Sequence, residues 1–323
     1  MPLREQIEKY QVLFYLLALL AGLGLGLHRP DVADVVEGLL WPLLAVLLFS
    51  TFTQVPLVRL RRALVDSRFL TAAVLGNFVA IPLIVWLMVQ WLPADPALRL
   101  GVLLVLLVPC TDWFLTFTHL GGGDAPRALA FTPLSLLLQL LLLPLYLWLF
   151  LGHTAMAGLV QRELLLAFGG LILLPLTGAW ALEHWSAERT ARKRWVAGLG
   201  WLPIPLLGLV LFTVAAGQVG QVTGSLALLP RLALLFVAFL LAALLLARLL
   251  ATAFRLPPAQ GRVLAFSFGS RNSFVILPLA LALPAGFEVA VVVVVFQSLV
   301  ELFGMLAFLR LVPTHLFPTI KST

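Results

Sequence analysis

A few residues whose types can do chemistry stand in an otherwise apolar chain. Cys110 and Asp112 lie in Leu106-Leu-Val-Pro-Cys-Thr-Asp-Trp-Phe114. Arg271 lies in Phe266-Ser-Phe-Gly-Ser-Arg-Asn-Ser-Phe274, and Gln297-Ser-Leu-Val-Glu301 follows. A thiolate binds soft ions, and a nearby cation such as Arg271 favours that form of Cys110. Asp112 and Glu301 can take up and release a proton. Gln297 and Glu301 are four residues apart and share one helix face. An ionisable group at the centre of a bilayer costs at least ~2.5–3.5 kcal/mol, which makes each a functional candidate. Plainer roles stay open: an Asp112–Arg271 ion pair, and a small buried apolar residue at Cys110. Asn77 and Gln139 are weaker candidates, each equally suited to an interhelical hydrogen bond.

The surroundings require a membrane. Of 323 residues, 62% are hydrophobic and only 11% charged, against roughly 25% charged in soluble chains. Spans of about 20 apolar residues are predicted near 10–27, 37–55, 69–91, 98–119, 127–151, 160–182, 197–216, 230–253, 261–282 and 287–311. They leave no room for a soluble domain. The N-terminal apolar run lacks an A-x-A-type cleavage site and reads as the first span. One cysteine excludes an intramolecular disulfide, and the five histidines show no metal-ligand spacing. No cofactor is expected.

The net charge of +7 raises a nucleic-acid partner, but the basic residues sit in short loops between spans. With ten spans, 16 Lys and Arg fall on the side of both termini and 4 on the other, with Arg271 inside a span. The heaviest clusters, Arg59-Leu-Arg61-Arg62 and Arg192-Lys193-Arg194, share the richer side. This asymmetry predicts a multi-pass protein of the cell (inner) membrane with both termini cytoplasmic.

The chain repeats itself. Pro42-Leu-Leu-Ala-Val-Leu-Leu-Phe-Ser50 in span two matches Pro205-Leu-Leu-Gly-Leu-Val-Leu-Phe-Thr213 in span seven at five of nine positions. Five spans separate them, so the halves, about 1–157 and 158–323, are inverted within one transmembrane domain. Inverted repeats are a mark of secondary transporters. Spans four and nine are also five apart. Aligned at Gly101 and Gly261, Pro109 meets Gly269, Cys110 meets Ser270 and Asp112 meets Asn272. Each half thus has a helix breaker followed by polar residues at mid-membrane depth. Broken helix there is tolerated only where protein or a water-filled cavity satisfies the backbone. The predicted fold is all-α: ten transmembrane helices in two inverted five-helix repeats, with helices four and nine broken and crossing.

These residues resemble the bile acid:sodium symporter superfamily, and within it the arsenite carriers of the arsenic-resistance type. The resemblance rests on Cys110 in broken span four, Gly123-Asp124 ending that segment, Ser270-Arg-Asn-Ser-Phe274 in span nine, and Gln297 with Glu301 in span ten. It implies a core domain and a panel domain, with the substrate site where the broken helices cross. A span-four cysteine and a span-ten glutamate are functional in the arsenite carriers, and these match Cys110 and Glu301. The glutamate-rich span-nine motif of sodium-coupled bile acid carriers is absent here.

The sequence therefore predicts a carrier, not an enzyme. The expected activity is proton-coupled efflux of arsenite, and of antimonite by extension. Cys110, Thr111, Asp112, Ser270, Arg271 and Asn272 are the expected substrate-binding residues, with Cys110 as the ligand to trivalent arsenic. Asp112, Glu301 and Gln297 are the expected coupling residues. The alternative is a sodium- or proton-coupled organic anion carrier, with Arg271 as the anion's counter-charge. A membrane enzyme would need a catalytic constellation at the membrane surface, and a sensor an appended soluble domain. Neither is found in the sequence.

Overall fold

The computed structural model describes residues 3–55, 67–111, 113–151, 165–186 and 198–318, together with Arg162, Arg192 and Val196. Asp112 lies outside the described residues, as do Arg59, Arg61, Arg62, Lys193 and Arg194 of the basic loops. The chain is mostly helical, and no strand occurs among the described residues.

In chain order the helices are α1 (Leu3–His28), α2 (Pro30–Glu37), α3 (Leu40–Phe52), α4 (Ser67–Val89), α5 (Pro96–Leu107), α6 (Trp113–Leu120) and α7 (Ala125–Leu151). There follow α8 (Leu165–Ser186), α9 (Pro203–Gly217), α10 (Val219–Gly224), α11 (Leu229–Ala253), α12 (Pro258–Gly269), α13 (Ser273–Leu281) and α14 (Val289–Leu311). Helix α4 contains a π-helical turn at Gly76–Ala80, and α8 one at Phe168–Leu173.

Five stretches are long and apolar enough to cross a bilayer: Ser67–Val89, Ala125–Phe150, Leu165–Ser186, Leu226–Ala253 and Val289–Leu316. Shorter apolar helices lie at Leu13–His28, Leu40–Phe52, Pro96–Leu107 and Pro203–Gly217. The expected spans 98–119 and 261–282 are each two helices in tandem. Helices α5 and α12 have 12 residues each, about 18 Å at 1.5 Å per residue, too short to cross alone.

Burial follows a membrane logic. The long helices turn leucine outward: Leu141, Leu145 and Leu149 on α7, and Leu234, Leu241, Leu245 and Leu249 on α11 are exposed. Trp41, Trp91, Trp148, Trp185 and Trp201, at or near helix ends, are exposed too. Tryptophan prefers the membrane–water interface, where an apolar ring keeps a polar N–H wet. The half-helices behave oppositely. All of Leu100–Val108 and all of Gly261–Gly269 are buried, so α5 and α12 are wrapped by protein on every side.

Two packing groups emerge. Helix α9 packs on α1, α2 and α3, and α3 packs on α8. Separately, α5 packs on α14, α4 and α7, while α11 packs on α12 and α14 and α6 joins α7 to α12. Helix α13 touches both α3 and the π turn of α8. Helices α3 and α9, which carry the matched segments of the sequence repeat, pack on each other.

The α1–α9 contact is close because α1 offers glycine. A Cβ at Gly22 would sit 2.2 Å from the Phe212 carbonyl oxygen, and one at Gly26 2.3 Å from that of Ala216. Small residues four apart let two backbones approach. Gly24, between them, faces open space within 4 Å. Gly22→Leu and Gly26→Leu are each expected to destabilise the protein by about 1–3 kcal/mol through overpacking. Gly24→Ala should melt at or slightly above the wild type, since alanine favours the helix over glycine, and melting curves of the three variants check this.

Candidate functional site

Why the fourth and ninth predicted spans break can be read locally. Pro109 lacks an amide hydrogen, clashes with the carbonyl one turn back, and disfavours helix at the residue before it. Val108 is accordingly extended, with φ −107° and ψ 107°, and α5 ends at Leu107. In the second break Gly269 ends α12 and Ser270 is extended, with φ −98° and ψ 128°. Asn272 then starts α13, its side chain accepting from the Val275 amide at 3.3 Å.

The two breaks meet in one short antiparallel bridge, Pro109 opposite Arg271. The Cys110 amide donates to the Ser270 carbonyl at 3.0 Å, and the Asn272 amide donates to the Val108 carbonyl at 2.8 Å. The alignment that matched Cys110 with Ser270 thus pairs residues that bond each other. Asn272 Nδ2 lies 3.4 Å from Thr111 Oγ1. Cys110, Thr111, Ser270, Arg271 and Asn272 are all buried.

Glu301 joins the bridge from α14. Its carboxylate accepts from Ser270 Oγ, the Arg271 backbone amide and Gln297 Nε2, each at 2.8 Å. Gln297 does share the face of Glu301, and its Oε1 accepts from Ser273 Oγ at 2.7 Å. A carboxylate buried to 2% exposure is tolerable only with such donors.

The Arg271 side chain points away from that carboxylate. Nη2 donates to Ser267 O at 2.7 Å, Phe268 O at 2.9 Å and Asn77 Oδ1 at 2.9 Å, while Nη1 lies 3.4 Å from Leu106 O. Its Cζ stands 5.6 Å from the centroid of the Phe239 ring. Among the described residues no carboxylate lies within ion-pair distance of the guanidinium, and Nε has no acceptor. Asn77 also donates to Ser267 Oγ at 2.9 Å, so it bridges two elements. Gln139, also buried, makes no side-chain hydrogen bond among the described residues.

Sequence reasoning missed three contributors. Ser267 and Ser273 flank the break and bond Asn77 and Gln297; their place beside Gly269 and Asn272 was the available signal. Trp113, the first residue of α6, stacks on Tyr15 of α1 with centroids 5.7 Å apart and meets Phe274 at 4.9 Å. Neither contact leaves a trace in local sequence. The Gly123-Asp124 turn closes the far end of α6, with the Asp124 amide donating to Ala259 O at 3.1 Å. Arg262 clamps the same turn to the C-terminal segment through Gly122 O and Phe317 O. Among the described residues no group of three His, Cys, Asp or Glu is placed to hold a metal ion.

The acceptor role of Glu301 is testable. Glu301→Leu strands three buried donors, each worth ~1–3 kcal/mol when unsatisfied, and Glu301→Gln keeps one acceptor oxygen. Thermal midpoints are expected to fall in the order wild type, Glu301→Gln, Glu301→Leu. Equal midpoints for the two variants would contradict this bonding.

The sequence profile of the Sodium Bile acid symporter family matches residues 41–248. That stretch runs from α3 into α11 and contains the first break; the second break and Glu301 lie beyond it. No curated protein matches the chain. A match over most of the chain, on a mostly helical multi-pass membrane protein, settles its kinship: it belongs to the Sodium Bile acid symporter family, whose members are transporters and not enzymes.

Proposed function

We propose that the chain is a secondary active carrier that exports arsenite, and antimonite by the same chemistry, in exchange for protons. In this reading ten spans form two inverted five-helix halves, about 1–157 and 158–323, in one transport domain. Both termini are cytoplasmic, and the cargo passes at the crossing of the two breaks.

One observation carries the choice of cargo. The Arg271 guanidinium already donates to protein oxygens on α4, α5 and α12. Apart from Glu301, the other described side chains at the bridge are uncharged: the Cys110 thiol, the Thr111 and Ser270 hydroxyls, and the Asn272 carboxamide. An anionic cargo would need a cation to face it. Arsenite is mostly a neutral trihydroxide near pH 7, so hydroxyls and a carboxamide suit its oxygens, and sulfur suits its arsenic. A single thiol gives weak, reversible binding, as a carrier needs. Cys110 is buried in the conformation described, so cargo reaches it only when the crossing is exposed to one side. Glu301, bonded to the second break through Ser270 and Arg271, is the proton carrier in this reading, with Gln297 holding it; Asp112 is the second candidate.

Family membership favours a second reading, a sodium-coupled organic anion carrier. Transport in everted vesicles, with arsenite set against a panel of organic acids and with sodium and pH varied independently, separates the two. Arsenite accumulation driven by the pH gradient and indifferent to sodium is expected. Cys110→Ala should lose most of it, and full efflux by that variant would remove the soft-ligand role. Glu301→Gln is expected to keep arsenite exchange but lose net transport driven by the proton gradient. Loss of both would assign Glu301 to the architecture and not to coupling.

A further inference from the structure

We propose that Arg271 is a tethered cation, seated in a cation site built from the C-terminal ends of two half-helices, and that it takes the place of a mobile coupling ion.

The last carbonyls of a helix lack amide partners and carry the negative end of its dipole. Half-helix C-terminal ends and unwound carbonyls are therefore what membrane carriers use to coordinate a coupling cation. This protein brings two such ends together. Leu106 O belongs to the last turn of α5, and Ser267 O and Phe268 O to the last turn of α12. All three face the guanidinium, with Asn77 Oδ1 as a fourth oxygen. Asn77 comes from the π turn of α4, and such turns recur at functional sites.

The character of the partners is the argument. An arginine placed for a structural ion pair would face a carboxylate in fork geometry. Here Glu301 binds the Arg271 backbone amide, while the side chain reaches four uncharged oxygens on the other side of the chain. Uncharged carbonyl and carboxamide oxygens are the ligands of a hard cation. The Phe239 ring adds its negative face. Truncating the side chain leaves a buried carboxylate, two negative helix ends and a vacated space. A small cation is what restores charge and coordination together.

The consequence for coupling rests on the reading of the crossing as the transport site; the exchange of a tethered for a mobile cation does not. The test is thermal unfolding of the purified full chain in sodium chloride against choline chloride at equal ionic strength. Wild type and Arg271→Lys are expected to melt at the same temperature in both salts. Arg271→Ala should melt several degrees lower in choline and recover saturably with sodium, while Arg271→Met, which fills the space, should not respond. If Arg271→Ala can be purified only with sodium, lithium or guanidinium present, the proposal is supported. If none of these ions stabilises or rescues it, or if sodium saturably stabilises the wild type, the proposal is overturned. Should the wild type fail to move arsenite while Arg271→Ala gains sodium-dependent stability, the proposed cargo falls and the tethered cation stands.

Discussion

Everything at the centre of this protein depends on one constraint: a backbone polar group at membrane depth must find a partner within the protein. Pro109 and Gly269 break two helices and release carbonyls and amides where lipid cannot receive them. One bridge of two hydrogen bonds between Val108, Cys110, Ser270 and Asn272 satisfies part of that demand. Side chains satisfy more of it: Glu301 takes the Arg271 amide, and the Arg271 guanidinium takes carbonyls in the last turns of both half-helices. Glu301, Arg271 and Asn272 are thus fixed in part by the backbone they serve. Chemistry and architecture cannot be separated there.

The charges follow the same logic. Arg271 and Glu301 are both buried to 2% exposure, and their formal charges cancel. They are nonetheless not joined head to head. Separating them costs direct Coulomb attraction but satisfies seven bonded oxygens and donors, and a buried pair is tolerable only when its remaining hydrogen-bond needs are met. The arrangement also leaves Glu301 bonded to Ser270 and Arg271 within the second break and to Gln297 of α14, which in turn holds Ser273 at the start of α13.

Much of this was legible in the sequence, and the exceptions are instructive. Pro109 and Gly269 announce the breaks because their backbone effects are local and large. Gln297 and Glu301 announce a shared face because helical spacing is fixed by geometry. The direction of the Arg271 side chain was not legible: it depends on Asn77, which is placed by a π turn on a separate helix, 194 positions away in the chain. The family profile covers the first break and not the second, so the match between Cys110 and Ser270 came from the internal repeat alone. Span counting blurred for a physical reason as well. A predictor of apolar length sees 98–119 and 261–282 as single crossings, whereas the folded chain divides each into two short helices shielded from lipid.

In the proposed reading, that shielding bears on how a crossing so extensively bonded can release cargo. The helices holding it, α4–α7 and α11–α14, pack among themselves, and α1–α3 with α8 and α9 pack among themselves. Between the two groups lies an apolar cavity of about 280 Å³, lined by Leu19 and Leu23 of α1, Val214 of α9, and Val291, Val295 and Phe296 of α14. The Tyr15–Trp113 stack crosses the same divide beside the first break. Interdigitated polar groups resist sliding because each displaced donor is left unsatisfied; apolar surfaces and a stacked ring pair exchange one contact for another at small cost. Opening the bridge itself would strand two amides and two carbonyls. A carrier built on this plan does better to move the seam and keep the crossing whole, carrying the bonded centre past the other helix group as one body.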